Sequence, residues 1–275
     1  LLRELQSSGR IDFLAFWRRR ARRLLPPLVL VVLLSTTLAL AVDRDLLVGI
    51  GRQIAGAMFF VSNWVFIANG TDYFAQDAPE LFRNTWSLAL EEQFYIVLPL
   101  LALILFRMKS RTSRVLPLAA LGLISAWLMM QFALDGVNAT RIYFGSDSHS
   151  FGLLFGAAMA TLVQRADPRP LGRGGQALSI AVAATGLAVI AWLSFTLQEA
   201  SEASFTGGFQ LATLAGLAIV WAVTRRGAWA GRALDVQPLR WIGERSYGIY
   251  LWHWPLALIL TTLAAHFGSG FPVWI

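Results

Sequence analysis

The chain has 275 residues, of which 56% are hydrophobic and 14% are charged, and its mean hydropathy is +0.58. Soluble domains average about 45–50% apolar and about 25% charged residues, so this composition excludes an ordinary soluble domain and predicts a multi-pass membrane protein. Cysteine is absent, which excludes disulfides, thiol nucleophiles and cysteine-based zinc sites.

The formal net charge of +7 is concentrated in four stretches that separate apolar segments. Nineteen of the 23 basic residues lie within residues 3–23, 107–114, 165–173 and 225–245. Basic loops of multi-pass proteins face the cytosol, so these stretches are predicted to be cytosolic and nucleic acid is not expected as a partner. The loops at the other ends of the apolar segments, on the side predicted to face away from the cytosol, contain acidic residues. These are Asp43, Asp45, Asp72, Asp77, Glu80, Asp135, Asp147, Glu199 and Glu202.

Seven apolar segments are candidates to cross a bilayer, which takes about 20 residues. In chain order they are 24–42, 86–106, 115–134, 149–165, 177–198, 207–224 and 246–265. The segment 46–68 is also apolar, but counting it as a span would put the basic stretches on both sides of the membrane. We therefore interpret it as a re-entrant or interfacial helix. The sequence predicts an all-α fold, a polytopic transmembrane helix bundle with seven or eight membrane segments.

The chain opens on a basic loop rather than on Met or a signal peptide. We interpret residues 1–275 as one membrane domain that is incomplete at both ends.

An arginine cluster directly before the first apolar segment is the first chemical motif. Residues 18–23 contain five arginines in six positions, and one interpretation is that they only orient the chain in the membrane. Arg19 and Arg23 are, however, i, i+4 neighbours on one helix face, and guanidinium groups suit bidentate phosphate binding. The cluster also favours a phosphorylated cytosolic ligand.

The second motif, residues 86–95, carries two carboxylates inside an otherwise apolar helix. Ionisable groups within membrane spans are costly and indicate function. Ser87, Glu91 and Tyr95 are spaced i, i+4, i+8 and share one face, where a carboxylate and two hydroxyls could meet a hydroxyl-bearing ligand. We assign function to Glu91 in preference to Glu92. The alternative is that a glutamate pairs with an arginine to hold the bundle together.

The third motif, residues 246–255, places His253 seven residues into a span, roughly 10 Å deep. A histidine at that depth needs a partner, so it is either a site residue or hydrogen-bonded to a neighbouring helix. His149 lies at the outer edge of a predicted span, where catalysis and plain solvation are equally open. The sequence shows no metal-ligand cluster, glycine-rich phosphate loop or nucleophile elbow.

Together, these motifs resemble those of the membrane acyltransferase 3 family, polytopic O-acyltransferases that acylate bacterial surface carbohydrates. The family elements R-R-x-x-R-x-x-P, W-S-L-x-x-E-x-Q-F-Y and S-Y-G-x-Y-L-W-H-W-P match residues 19–26, 86–95 and 246–255. Residues 143–160 are similar to a fourth family stretch. The family usually has further spans before and after this region, including one with a histidine thought to act in acyl transfer. It also often has a histidine where this sequence has Asn84.

The resemblance implies transfer of an acyl group, most typically acetyl, from cytosolic acyl-CoA (acetyl-CoA) to a hydroxyl of a cell-surface carbohydrate. It implies a location in the bacterial cytoplasmic (inner) membrane. The expected partners are membrane lipids and a carbohydrate acceptor, and no metal is expected. The expected site residues are Glu91, Tyr95 and His253 for catalysis, Arg19, Arg20 and Arg23 for the CoA phosphates, and Trp86, Ser87, Gln93 and His149 for substrate contacts.

Two alternatives come from other classes of protein. A transporter or glycan exporter would use Glu91 and His253 as a proton relay, although the sequence shows no inverted repeat of the kind common in transporters. A non-catalytic subunit of a membrane assembly is the second alternative. The sequence does not determine which carbohydrate is the acceptor, the length of the acyl chain or the oligomeric state.

Overall fold

The computed structural model describes residues 4, 9–74, 80–163 and 170–266, and its regular structure there is helical. Asp77, Arg165 and Arg169, which belong to the predicted outer carboxylates and to the third basic stretch, lie outside these residues. A 3₁₀ turn, Arg44–Leu47, follows the first helix and a π-helical turn, Ser204–Gly208, precedes the tenth. The helices are α1 (Phe13–Val42), α2 (Ile50–Met58), α3 (Ser62–Ala68), α4 (Thr85–Phe106), α5 (Arg111–Leu134), α6 (Ala139–Phe144), α7 (Ser146–His149), α8 (Phe151–Val163), α9 (Arg173–Thr196), α10 (Phe209–Thr224), α11 (Trp229–Leu234) and α12 (Gln237–His266).

Six helices in the described part are long and apolar enough to cross a membrane: α1, α4, α5, α9, α10 with its preceding π turn, and α12. The predicted all-α, polytopic fold is confirmed, but the predicted number of seven or eight segments is slightly too high. The difference arises at the predicted span 149–165. Helix α8 has 13 residues there, which is about 20 Å at 1.5 Å per residue, against a hydrocarbon core of about 30 Å.

The apolar segment 46–68 is broken into two short helices. Helix α2 has nine residues and α3 has seven, and the turn between them includes Phe60 in the left-handed region with φ +55. A Cβ on Gly56 would lie 3.0 Å from the Ser62 Cα, so glycine permits the close approach of the two helices. Neither helix is long enough to cross a bilayer, which agrees with a re-entrant or interfacial interpretation.

Two compact units make up the structure: residues 1–104 with 245–275, and residues 105–244. In the first unit, one face of α1 is buried at helical spacing and packs against the start of α4 and the second half of α12. This core fixes the three helices that carry the arginine, Trp-Ser-Leu and Ser-Tyr-Gly motifs. Its members include Leu28, Val31, Val32, Ala39, Leu81, Phe82, Leu88, Leu251, Leu258 and Ile259.

In the second unit, small residues allow the long helices to pack closely. A Cβ on Gly122 of α5 would lie 2.6 Å from the Phe155 ring of α8, and one on Gly186 of α9 would lie 2.7 Å from Ile219 Cγ1 of α10. Such close packing through glycine is common between membrane helices. The pattern explains why glycine occurs in the middle of these apolar segments.

Candidate active site

A cavity of about 620 Å³ lies in the first unit, where α1, α4 and α12 meet. We call it the basic cavity, because three arginines contribute to its wall. All three sequence motifs contribute residues to it. The lining residues are Phe16, Arg19, Arg20, Arg23, Leu24, Ser87, Leu88, Glu91, Glu92, Tyr95, Ser246, Tyr247 and Tyr250.

Arg20 and Glu92 form an ion pair across the wall of the basic cavity. The guanidinium donates from Nη2 to Glu92 Oε1 and from Nε to Oε2, the latter at 3.2 Å. The Glu92 side chain is only 10% exposed. The guanidinium carbon also lies 3.5 Å from the centroid of the Tyr95 ring, a cation–π geometry. Arg20 therefore joins α1 to α4, and its guanidinium group is already bound to a carboxylate of the protein.

Glu91 is the neighbour of Glu92 in sequence but projects about 100° away around α4. It lines the basic cavity and is exposed. Its carboxylate makes no hydrogen bond or salt bridge to any residue that the structure describes. The two adjacent glutamates are thus separated into one that holds helices together and one that is available to a ligand.

Arg19 and Arg23 lie one helical turn apart on α1, and both line the basic cavity. Both are exposed. Neither guanidinium forms an ion pair within residues 9–74, 80–163 and 170–266. Arg18 and Arg22, on the same turns, are not part of the cavity wall. The cluster therefore has one face directed to the cavity and another directed elsewhere.

The hydroxyl groups of Ser87 and Tyr250 connect α4 to α12 beside Glu91. Their oxygens are in hydrogen-bond contact, and Tyr250 Oη also donates to the Asn84 carbonyl at 2.8 Å. In return, Asn84 Nδ2 donates to the Tyr250 carbonyl at 2.8 Å. Reciprocal bonds of this kind hold the two hydroxyls in one position on the cavity wall, one turn of α4 from the Glu91 carboxylate.

Two residues of the Trp-Ser-Leu motif do not line the basic cavity. Trp86 is buried and makes an edge contact with Tyr73, with ring centroids 6.2 Å apart. Gln93 Nε2 donates to the Phe60 carbonyl at 3.0 Å and to Asn63 Oδ1 at 2.9 Å. Gln93 thereby ties α4 to the turn between α2 and α3. The substrate contacts expected of both residues stay predictions, and the contacts seen are structural.

His253 lies next to the basic cavity rather than in its wall. Its ring centroid is 5.2 Å from that of Tyr250, and its Nδ1 is hydrogen-bonded with the Tyr250 carbonyl. The residue is exposed. The structure thus places His253 one turn of α12 away from Tyr250, whose hydroxyl contacts that of Ser87.

His149 lies in the second unit and is not among the residues that line the basic cavity. Its ring is surrounded by Tyr143, Phe151 and Phe209, at centroid distances of 5.0, 5.9 and 5.7 Å. Burial lowers the pKa of His149 to about 4, because a charged imidazole would lose its hydration there. His149 is therefore neutral at physiological pH.

Three lining residues of α12 were not singled out by the sequence: Ser246, Tyr247 and Tyr250. Tyr247 Oη donates to the Leu24 carbonyl at 3.1 Å, and Tyr250 meets Ser87 as described. The signal was present in the i, i+4 spacing of Ser246 and Tyr250, which places two hydroxyls on one face.

These features define a polytopic helical membrane protein with a charged, hydroxyl-lined cavity in its helix bundle. Residues 4–275 match the family described as "Acyltransferase domain", and the chain belongs to this family. The resemblance indicated by the motifs is thereby confirmed. The transporter and assembly-subunit alternatives lose support accordingly.

Similar proteins include bacterial O-acetyltransferases. O-acetyltransferase OatA of Staphylococcus aureus is 32% identical over 264 residues, which cover 95% of this chain and 44% of OatA. YrhL of Bacillus subtilis is 32% identical over 263 residues, covering 94% and 41%. Peptidoglycan O-acetyltransferase OatA of Listeria monocytogenes is 30% identical over 265 residues, covering 95% and 42%. The chain thus spans less than half the length of these relatives. No solved structure matches it.

Proposed function

We propose that this protein is an integral membrane O-acyltransferase that moves an acetyl group from cytosolic acetyl-CoA to a hydroxyl of a cell-surface carbohydrate. One observation carries the proposal: the basic cavity brings two arginines without ion-pair partners in the described chain together with the Glu91 carboxylate. The names of the relatives, O-acetyltransferase in all three cases and peptidoglycan O-acetyltransferase in two of them, support the reaction and the acceptor class.

The charges of the basic cavity suit a phosphorylated donor. Arg20 and Glu92 neutralise each other, which leaves the guanidinium groups of Arg19 and Arg23 to meet anions. Guanidinium is a planar, permanently charged donor whose geometry matches phosphate oxygens. We therefore assign Arg19 and Arg23 to the CoA phosphates. Arg20 acts on the position of Tyr95 and α4 instead.

The reaction joins the acceptor hydroxyl oxygen to the thioester carbonyl carbon and breaks the carbon–sulfur bond. The hydroxyl proton is removed by a base, and the sulfur leaves as CoA. Such a transfer needs a base for the hydroxyl and a polar group for the oxyanion. We assign Glu91 to orient the acceptor hydroxyl or its base. The hydroxyls of Ser87 and Tyr250 lie one turn away, hydrogen-bonded to each other and to the Asn84 carbonyl, so either must leave its present acceptor to donate to the oxyanion. His253 contacts the Tyr250 carbonyl through Nδ1.

We infer a multi-pass protein of the bacterial cytoplasmic membrane, with the basic stretches in the cytosol. This topology requires a seventh crossing between α5 and α9, in the stretch that contains the short helices α6, α7 and α8. On this topology α1 begins on the cytosolic side, where acetyl-CoA is available, and ends at Asp43 on the outer side. The basic cavity then lies at the cytosolic, arginine-bearing end of α1. The carbohydrate acceptor would approach from the other end.

Replacing Arg19 or Arg23 by lysine in the full-length protein is expected to weaken acetyl-CoA binding roughly tenfold. Lysine keeps the positive charge but loses the bidentate hydrogen bonds, and a hydrogen bond to a charged group is worth about 1.5–3 kcal/mol. Arg18→Lys and Arg22→Lys are matched controls, because these residues occupy the same turns outside the cavity wall. The measurement is the Kd for acetyl-CoA. Unchanged affinity in both cavity variants would mean that the cluster only orients the chain.

The topology is expected to appear in single-cysteine labelling, which is clean in a chain without native cysteine. Cysteine in place of the exposed Thr112, in the second basic stretch, should be protected from an impermeant maleimide added to intact spheroplasts. Cysteine in place of the exposed Glu199 should react. Both should react after the membrane is opened. Labelling of position 112 in intact spheroplasts would show that the chain has the opposite orientation in the membrane.

A further inference from the structure

A cavity of about 470 Å³ lies in the second unit, where α10 ends and α11 begins. We call it the α10–α11 cavity. Two arginines, Arg225 and Arg232, and one acidic residue, Asp235, contribute to its wall. The other lining residues are Val223, Gly227, Ala228, Gly231 and Leu234. None of these residues has a role in the acyl transfer proposed above.

The charge of this wall is positive, because its carboxylate is already bound by a basic residue outside it. Asp235 Oδ1 accepts from Arg240 Nε at 2.9 Å and lies 2.7 Å from Arg240 Nη2. The guanidinium groups of Arg225 and Arg232 make no hydrogen bond or ion pair with the residues that the structure describes. That of Arg225 lies over the Trp221 ring, 5.2 Å from its centroid. Two positive charges are therefore available to an anion.

The turn that follows Arg225 is held in place by a buried side chain of α9. Gln176 is only 5% exposed. Its Nε2 donates to the Gly227 carbonyl at 2.8 Å, and its Oε1 accepts from the Trp229 backbone N–H at 2.9 Å. A Cβ on Gly227 would lie 3.9 Å from Arg232 Nη2, so this guanidinium lies against the fixed turn. Both arginines thus belong to a wall that is formed before any ligand binds.

The position of the cavity along α10 matches the depth of lipid headgroups. The apolar segment Ser204–Thr224 has 21 residues, which is about 31 Å at 1.5 Å per residue, close to the hydrocarbon thickness of about 30 Å. Arg225 is the next residue. Trp229 and Leu234 are 54% and 51% exposed, and tryptophan is enriched at membrane interfaces. Apolar surface therefore adjoins the two guanidinium groups at the end of the span.

We propose that the α10–α11 cavity binds the phosphate of an anionic phospholipid, such as phosphatidylglycerol, through Arg225 and Arg232. Guanidinium groups bind phosphate oxygens by charge-assisted hydrogen bonds. Basic pockets between membrane helices bind anionic headgroups in the same way. On the proposed topology, the lipid belongs to the cytosolic leaflet. The inference concerns binding alone and does not depend on the acyl-transfer reaction.

The same wall favours an anionic lipid over two other sources of phosphate. A zwitterionic lipid such as phosphatidylcholine carries a cation, and the Asp235 carboxylate that could meet it is held by Arg240. Inorganic phosphate could use the arginines but not the exposed apolar surface of Trp229 and Leu234. An anionic phospholipid uses both the charge and the apolar contacts.

The test measures phosphatidylglycerol binding to the purified full-length protein in a neutral detergent, by native mass spectrometry, against phosphatidylcholine with the same acyl chains. The unmodified protein should bind phosphatidylglycerol more tightly. Arg225→Gln and Arg232→Gln should each lower that affinity roughly fivefold, as expected for one basic residue at an anionic lipid surface, and leave phosphatidylcholine affinity unchanged. Arg226→Gln is the matched control, because it removes the same charge from an exposed residue outside the cavity wall.

A phosphatidylglycerol with a photoactivatable group near its headgroup locates the bound lipid directly. It should cross-link within residues 223–235 of the parent and of Arg226→Gln, and much less in the two cavity variants. Arg232 is exposed, so Arg232→Gln tests the site even if replacement of the half-buried Arg225 affects folding. Cross-links confined to other parts of the protein would overturn the inference.

Inorganic phosphate, added to the same preparations, separates the two sources of the anion. Phosphatidylglycerol should stay bound when phosphate is in large excess over the lipid. Displacement at comparable concentrations would make the cavity a site for soluble phosphate and overturn the assignment to lipid. Equal losses of affinity in Arg226→Gln and in the cavity variants would show a general effect of surface charge. That result, or equal binding of both lipids by the parent, would also overturn the inference.

Discussion

Glu91→Gln in the full-length protein is expected to lower acyl transfer at least about 100-fold, the lower end of what a positioned acid–base group contributes. Glutamine keeps the size of the side chain and most of its hydrogen-bonding capacity but removes the charge. Because the Glu91 carboxylate lines the basic cavity and forms no ion pair within the described chain, its neutralisation should leave the protein folded. Transfer to a carbohydrate acceptor and membrane abundance are the two quantities to measure.

Two further variants make this result specific. Glu91→Asp keeps the charge one methylene group further from the cavity and should retain more activity than the glutamine variant. Glu199→Gln removes an exposed carboxylate outside the basic cavity and should be fully active. A well-expressed Glu91→Gln protein with normal transfer would show that this carboxylate has no part in the reaction.

Glu92→Gln is expected to act on stability instead, and to reduce the amount of folded protein in the membrane. Glu92 is buried and holds Arg20 through two hydrogen bonds. Removing one partner of a buried ion pair leaves an uncompensated charge and costs about 3–5 kcal/mol. Thermal unfolding of the purified variant should therefore occur at a clearly lower temperature than that of Glu91→Gln.

The double variant Arg20→Met/Glu92→Met tests the pair without leaving a lone charge. Replacing both members of a buried pair by apolar residues of similar volume is often neutral or stabilising, so abundance should recover relative to Glu92→Gln. Acetyl-CoA affinity should stay within a few-fold of the parent if Arg20 serves the helix bundle. A loss as large as in Arg19→Lys would assign Arg20 to the phosphates. A fully stable Glu92→Gln protein would contradict the structural role of the pair.

The sequence by itself determined features that depend on local periodicity and composition. Its apolar segments specified the spanning helices, apart from α8, which is shorter than the segment predicted there. The i, i+4, i+8 spacing of Ser87, Glu91 and Tyr95 placed all three on the wall of one cavity, because 3.6 residues per turn fixes the face of a helix without reference to its neighbours. The choice of Glu91 over Glu92 followed from the same geometry.

Partners across helices were decided only by the tertiary structure. Arg20, Arg19 and Arg23 are alike in sequence, yet Arg20 alone reaches a glutamate that lies 72 positions away. Gln93 belongs to the same motif as Glu91 but bonds to the turn between α2 and α3. In the third motif, Tyr250 forms the cavity wall beside Ser87, while His253 lies next to it. Each of these outcomes depends on how α1, α4 and α12 pack, and periodicity along one helix carries no information about which side chain of another helix it meets.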